Sequence, residues 1–261
     1  MIHDALIGHT GFVGGTLAAS FGPFAARFNS SNIGEMRGGR FGTVVCAGVS
    51  AVKWLANREP EADWRGIMSL LDVLATVEAE RFVLISTTDV YPQPQGVTEA
   101  DVPPRGEGQP YGRHRLEIEH AIRERFARHH IVRLPALFGD GLRKNALFDL
   151  LTGNMTAQVN PEGHFQWYPM RRLADDLRRI IESGLPLVNI AVEPLRMGDI
   201  AARFFPGVEI APAGGAGPRY DMRTQHAALL GGAGGYHLSA AQAMEEICRY
   251  VEAARARGGV P

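Results

Sequence analysis

Three glycines, Gly8, Gly11 and Gly14, stand directly between an apolar run over residues 2–7 and a helical stretch over residues 14–21, and this spacing constrains the fold more than any other stretch of the chain. The first glycine suits a tight turn out of a strand, the second lets backbone approach a pyrophosphate, and the third lets the helix pack closely on the strand. The helix start adds N–H donors and the positive end of a peptide dipole, which together attract anions. The segment Gly8-His9-Thr10-Gly11-Phe12-Val13-Gly14 therefore reads as a dinucleotide-binding loop, with Gly8, Thr10, Gly11, Phe12, Val13 and Gly14 as contacts.

Further strands at 24–29, 41–47, 82–86 and 131–134 alternate with helices at 59–77 and 111–128. Such alternation predicts an α/β fold, a doubly wound parallel sheet of Rossmann type with right-handed crossovers. Beyond Gly141 the pattern is irregular, with helices expected at 145–151, 171–183 and 197–205. Ser239 and Gln242 resemble a capping box opening a last helix whose apolar positions are Ala243, Ile247, Tyr250 and Val251. Residues 1–140 are thus read as the dinucleotide-binding domain. Residues 141–261 are read as a mixed region that contributes further Rossmann elements and a small C-terminal substrate-binding annex, with the Gly- and Pro-rich segment 211–235 as a lid or flap.

A net charge of -1 gives no broad attraction to nucleic acid or an anionic membrane and points to small polar metabolites as partners. Cys46 and Cys248 lack metal-ligand spacing and read as buried, reduced thiols of a reducing compartment. No basic-then-apolar leader precedes Ile2, and no apolar run approaches the roughly 20 residues that span a bilayer, so a cytoplasmic protein is expected. His114, His129, His130 and His164 lack complementary spacing, and no metal is expected.

The end of the second strand lacks the acidic residue that commonly grips an adenosine ribose and instead carries Asn29, Ser30, Ser31 and Asn32. Hydroxyls and amides can hold a 2′-phosphate, with charge from Arg27 or Arg37, which favours NADP and leaves NAD open.

Beyond the glycine loop, the segments Val83-Leu84-Ile85-Ser86-Thr87-Thr88-Asp89-Val90-Tyr91 and Pro110-Tyr111-Gly112-Arg113-His114-Arg115 follow in order. Over residues 2–140 the chain resembles the extended short-chain dehydrogenase/reductase superfamily, specifically its NAD-dependent epimerase/dehydratase group. The resemblance implies that Tyr111 is the catalytic acid/base, that Thr87 orients the substrate oxygen, and that Arg115 stands where the family has lysine. One helical turn separates Tyr111 from Arg115, so the cation shares the phenol's face and is expected to lower its pKa. The stretch 132–139 is similar to the family's strand and loop beside the nicotinamide, which implies cofactor contacts from Leu134, Pro135 and Leu137. Ala47, Gly48 and Val49 after the third strand are implied contacts as well. Leu116, Ile118, Ile122 and Phe126 pack on the sheet or complete the family's two-helix homodimer interface.

Dehydratases of the group carry Thr-Asp-Glu where this chain has Thr87-Thr88-Asp89, so the resemblance disfavours dehydration. It implies an oxidoreductase acting on a carbonyl or secondary alcohol of a small polar metabolite, a sugar nucleotide or a biosynthetic intermediate. Thr88, Asp89, Lys144 and Asn145 are candidate substrate contacts, and Arg171-Arg172 could grip a phosphate or carboxylate. Two other readings stay open: a nucleotide-sugar epimerase that retains NAD, and a non-catalytic dinucleotide sensor or scaffold.

Overall fold

A computed structural model describes residues 3–258. In chain order the elements are β1 (His3–Ile7), α1 (Phe12–Ser20), β2 (Ala26–Phe28), β3 (Arg40–Cys46), α2 (Lys53–Arg58), α3 (Pro60–Leu74), β4 (Glu78–Thr87), α4 (Pro110–Arg125) and β5 (His129–Leu134). There follow β6 (Ala136–Phe138), α5 (Ala146–Thr152), β7 (His164–Phe165), β8 (Trp167–Pro169), α6 (Leu173–Ser183), β9 (Leu187–Asn189), β10 (Leu195–Arg196), α7 (Met197–Phe204) and α8 (Ala240–Ala256). The chain divides into two compact units, one running to Pro92 and including Glu99–Leu134 and Leu173–Asn189, the other comprising Gln93–Thr98, Pro135–Arg172 and everything from Ile190.

The first unit is built on a six-stranded parallel sheet in the order β2-β1-β3-β4-β5-β9. Ala5-Leu6-Ile7, Val44-Val45-Cys46, Phe82-Val83-Leu84 and Ile131-Val132 are all buried, the continuous apolar pattern of strands covered on both faces. Ile67, Leu70, Val73 and Leu74 of α3, together with Ile118 and Ile122 of α4, fill one face against Ala5, Val44, Phe82 and Ile131. The chain winds outward in both directions from β1 and β3, so the loop after β1 lies at the topological switch point, where α/β sheets bind ligands.

Several boundaries differ from those the sequence suggests. The helix expected over 59–77 is preceded by a separate short helix, α2: Glu59 has φ -127 and ψ 63, outside the helical region, and Pro60 starts α3 at a position where its missing N–H costs nothing. Helix α1 starts two residues before Gly14, because Gly11 already serves as its extended N-cap. Strand β4 extends back to Glu78, paired with Arg40 of β3, through residues too polar to register as a strand. The sixth strand, β9, is three residues long and gave no periodic signal.

In the second unit β6 pairs parallel with β8, and β7 pairs antiparallel with β10. The segment 211–235 does not hang free as a lid. The Gly96 N–H donates to the Asp221 carbonyl at 2.7 Å, and the buried Gln166 amide both donates to the Met222 carbonyl and accepts from its N–H, each at 2.7 Å. Ser239 and Gln242 form the full capping box at the start of α8. Cys46 is buried, and burial pushes its thiol up to about 11. Cys248, expected to be buried, is only half-buried on α8 and donates to Glu252 Oε1 at 3.3 Å. Among the described residues no helix is long and apolar enough to cross a membrane.

Candidate active site

The glycine loop is shaped by how closely its backbone approaches its neighbours. Gly8 has φ +87, and a Cβ there would lie 2.4 Å from the Ala47 carbonyl oxygen; a Cβ on Gly14 would lie 2.0 Å from the Gly8 oxygen. The Gly8 N–H donates to the Phe28 carbonyl at 2.7 Å, and the Ala47 N–H to the Ile7 carbonyl at 2.9 Å, so the ends of β1, β2 and β3 are stapled together. A Cβ on Gly48 would meet the Ile7 side chain at 2.6 Å. Thr10 and Gly11 are exposed, Phe12 and Val13 half-buried, and Val49 is half-exposed against the core. Among the described residues no side chain caps α1, and its first turn holds no acid, so its leading N–H groups remain suited to an anion.

The polar turn after β2 is largely occupied with itself. Asn29 Oδ1 accepts from the Ser31 N–H at 2.8 Å and from its hydroxyl at 2.6 Å, and the Asn29 N–H donates to Asn32 Oδ1 at 2.8 Å. Ser30 is exposed at the tip of the turn.

At the C-terminal end of β4, Thr87 lies opposite Leu134 of β5 and caps a short turn by accepting the Asp89 N–H at 3.1 Å. Helix α4 presses on this turn: a Cβ on Gly112 would lie 1.8 Å from the Asp89 carbonyl oxygen. Its first turn is held by Asn57 of α2, whose Oδ1 accepts the Tyr111 N–H at 2.9 Å. The result brings Tyr111, 8 % exposed, within hydrogen-bonding reach of Thr87. Burial pushes the phenol up; the Arg115 charge opposes it, Asp89 adds to it, and Lys53 and the nearby Thr87 side chain oppose it. The net shift is upward, opposite to the expected effect of the Arg115 charge, because desolvation outweighs the cation.

Arg115 does share the phenol's face, with its Cζ 3.9 Å from the ring centroid. Its terminal nitrogens, however, are committed to protein. Nη1 donates to Asp63 Oδ2 at 2.6 Å and to the Tyr111 carbonyl at 3.1 Å, while Nη2 donates to Asp63 Oδ1 at 2.9 Å and to the Ser50 carbonyl. Asp63, on α3, is also bonded by His114 Nδ1 at 2.7 Å. Burial works to raise the Asp63 carboxyl, and the bonds and charges of Arg115 and His114 outweigh it and hold it below the ordinary range. Arg115 Nε and Thr88 Oγ1 are buried without a partner among the described residues.

Asp89 receives the ammonium of Lys53 at 2.6 Å. Lys53, Asn57 and Asp63 carried no sequence signal, since α2 is too short for periodicity and Asp63 reads as an ordinary first-turn acid of α3. Behind Thr87, Glu119 of α4 takes a two-pronged bond from Arg133 of β5 at 2.9 and 2.6 Å and accepts the Ser86 hydroxyl at 2.6 Å. Arg133 also donates to the Tyr91 hydroxyl at 2.6 Å, and Asn189 of β9 donates to the same oxygen at 3.2 Å.

The remaining candidates belong to the second unit. Pro135 leads into β6, which contains Leu137. Asn145 caps α5 by accepting the Phe148 N–H at 3.0 Å and donates to the Leu137 carbonyl at 2.9 Å, holding a φ of 143°. Burial lowers the Lys144 ammonium from its ordinary range. Arg171, a candidate anion grip, is engaged by Glu246 of α8, with Nε 2.6 Å from Oε2. A cavity of about 340 Å³ in this unit is lined by Ala146, Asp149, Gln158, Val159, Phe165 and Met197, among others.

Residues 41–160 match the model of the NAD dependent epimerase/dehydratase family, which bears out the resemblance carried by the Thr87 and Tyr111 segments. No curated protein matches the sequence. Solved structures share the fold across nearly the whole chain. The UDP-glucose 4-epimerase of Thermotoga maritima matches with TM-score 0.73 at 15% identity, covering 98% of this chain and 99% of its own. A dTDP-4-dehydrorhamnose reductase of Bacillus anthracis in complex with NADP matches with TM-score 0.74 at 17% identity, covering 97% and 99%. An NAD-dependent NDP-hexosamine 5,6-dehydratase involved in tunicamycin biosynthesis matches with TM-score 0.68 at 20% identity, covering 97% and 98%. At these identities the likeness shows the fold alone.

Proposed function

We propose that this chain is an NAD(P)-dependent oxidoreductase acting on a carbonyl or secondary alcohol of a nucleotide sugar, with Tyr111 as proton donor and acceptor. The observation that carries this reading is the buried Tyr111 phenol beside Thr87, with the Arg115 guanidinium stacked 3.9 Å from its ring centre. The family match over residues 41–160 supports the reaction class, and the nucleotide sugars that name the structural neighbours support that substrate class. Two features fit a dinucleotide: the uncapped start of α1 at the glycine loop, and the unpartnered, buried Arg115 Nε beside Tyr111. When bound, the dinucleotide supplies a hydride or accepts one at its nicotinamide ring. The chain's own residues do the rest. In the reducing direction the Tyr111 hydroxyl gives its proton to the substrate oxygen, and in the oxidising direction the phenolate takes it back. The Thr87 hydroxyl holds Tyr111 in place, and the Arg115 charge over the ring favours the phenolate that proton loss creates.

NADP is proposed ahead of NAD, because residues 29–32 hold no carboxylate that a 2′-phosphate would meet and Ser30 stands exposed at the tip of their turn. The test is turnover of a panel of nucleotide sugars with NAD(H) and NADP(H), followed by nicotinamide absorbance, in the wild type and in Tyr111→Phe. The expected result is a loss of about 100-fold or more in kcat with unchanged dinucleotide Kd. Wild-type turnover in Tyr111→Phe, or failure of the chain to bind either dinucleotide, overturns the proposal. Interconversion of two sugars with tightly retained cofactor and no net absorbance change replaces it with the epimerase reading.

A further inference from the structure

The lysine that this fold family carries four residues after the tyrosine combines a positive charge with free N–H donors at one point. Here the charge is kept but only one donor, Arg115 Nε, is left without a partner among the described residues. The four N–H groups of Arg115 Nη1 and Nη2 are taken by Asp63, Ser50 and the Tyr111 carbonyl, and the planar guanidinium is locked between α3 and α4 as a clamp. Its charge is fixed in place and faced by a carboxylate. Another cation at this end of the sheet is Lys53, which opens α2 and reaches Asp89, the second residue beyond Thr87, at 2.6 Å. Lys53 keeps 42 % of its side-chain surface exposed while Asp89 keeps 20 %, so the carboxylate is the more deeply set member of the pair.

From Asp89 a connected set of contacts leads to the phenol. The Asp89 N–H donates to Thr87 Oγ1 at 3.1 Å, and Thr87 in turn lies beside the Tyr111 phenol. The same helix α2 holds the Tyr111 backbone through Asn57. We propose that Lys53 is a positioning residue for Tyr111: its ammonium neutralises the Asp89 carboxylate and fixes the Asp89–Thr87–Tyr111 chain. This inference rests on the reading of Tyr111 as the acid–base group. The charged groups that act on Tyr111 are Arg115 on its own helix, Asp89 in the turn after β4 and Lys53 on α2, with Asp63 of α3 and His114 of α4 behind Arg115. Removing Lys53 takes away one attractive charge and also exposes the phenolate to an uncompensated carboxylate, so both effects disfavour the ionised phenol. Arg115, held by Asp63 and Ser50, cannot turn to replace it.

The experiment needs no substrate. The ultraviolet absorbance of phenolate is titrated in the wild type and in Tyr111→Phe, the difference giving the midpoint of Tyr111 alone, and the pair is repeated on the Lys53→Met background. The expected result is a midpoint about 1 pH unit higher in Lys53→Met, restored by Lys53→Arg and much reduced when Asp89→Asn is added. Thermal stability is expected to stay close to wild type, since a part-exposed pair contributes little. An unchanged midpoint in Lys53→Met, or an equal rise when Asp89→Asn is present, overturns the inference and leaves the assignment of Tyr111 standing. Wild-type turnover in Tyr111→Phe overturns that assignment whatever Lys53 does to the midpoint.

Discussion

Asp63 illustrates how much one residue settles here. Bound to Arg115 and His114, its carboxyl titrates below its ordinary value, so the folded state holds fewer protons than the unfolded chain between the two values. The stabilisation is therefore fully present above the unfolded value near 3.9 and disappears as pH falls through the folded one. Asp63→Asn is expected to lower Tm at neutral pH and to flatten the acid limb of the Tm-against-pH curve, measured in parallel with the wild type. Gly14→Ala belongs to the same scale. A Cβ 2.0 Å from the Gly8 oxygen cannot be accommodated without moving the loop, so loss of dinucleotide binding by calorimetric titration is expected along with a drop of about 1–3 kcal/mol in stability. Residues of this kind were legible in part. Gly8 and Gly14 announce themselves through spacing, and Thr87 and Tyr111 through the resemblance of their segments to the family, whereas Asp63 and Lys53 meet Arg115 and Asp89 only across elements, and the sequence carries no record of such encounters.

Helix α4 brings these residues together. Asn57 holds its first turn, Gly112 lets that turn touch the Asp89 carbonyl, and its later turns carry Glu119 into the sheet. Gly112→Ala is expected to push the first turn away from Asp89 and to reduce turnover more than dinucleotide affinity, a split read from kcat and Kd. Further along, Glu119 and Arg133 are 0 % and 1 % exposed, so Glu119→Leu leaves a buried guanidinium uncompensated. Its expected cost is about 3–5 kcal/mol in denaturant unfolding. The sequence located α4 within a few residues because its apolar positions repeat at helical spacing. It missed α2 altogether, since six residues are too few for an apolar period, and read a helix only from Glu59, next to the Pro60 that starts α3.

For the whole molecule, the parallel sheet and its switch point were readable from alternating strands and helices and from one glycine loop. In the second unit α5, α7 and the capped start of α8 were readable too, but its strands were not, because they are two or three residues long and its buried polar contacts, such as Gln166 to Met222, follow no period. A dinucleotide that binds only the folded chain stabilises it by about 2.7 kcal/mol at a hundredfold excess over Kd. Differential scanning calorimetry with NAD and NADP in turn is expected to raise Tm with both, and more with NADP. The ordering of the strands has one more effect. The two outermost, β2 and β9, are three residues each, flanking a centre whose longest strand has ten. A foreign chain seeking to extend the sheet finds only a few unpaired backbone groups at either rim, so a domain rich in Val, Ile and Phe strands carries little template for amyloid-like growth.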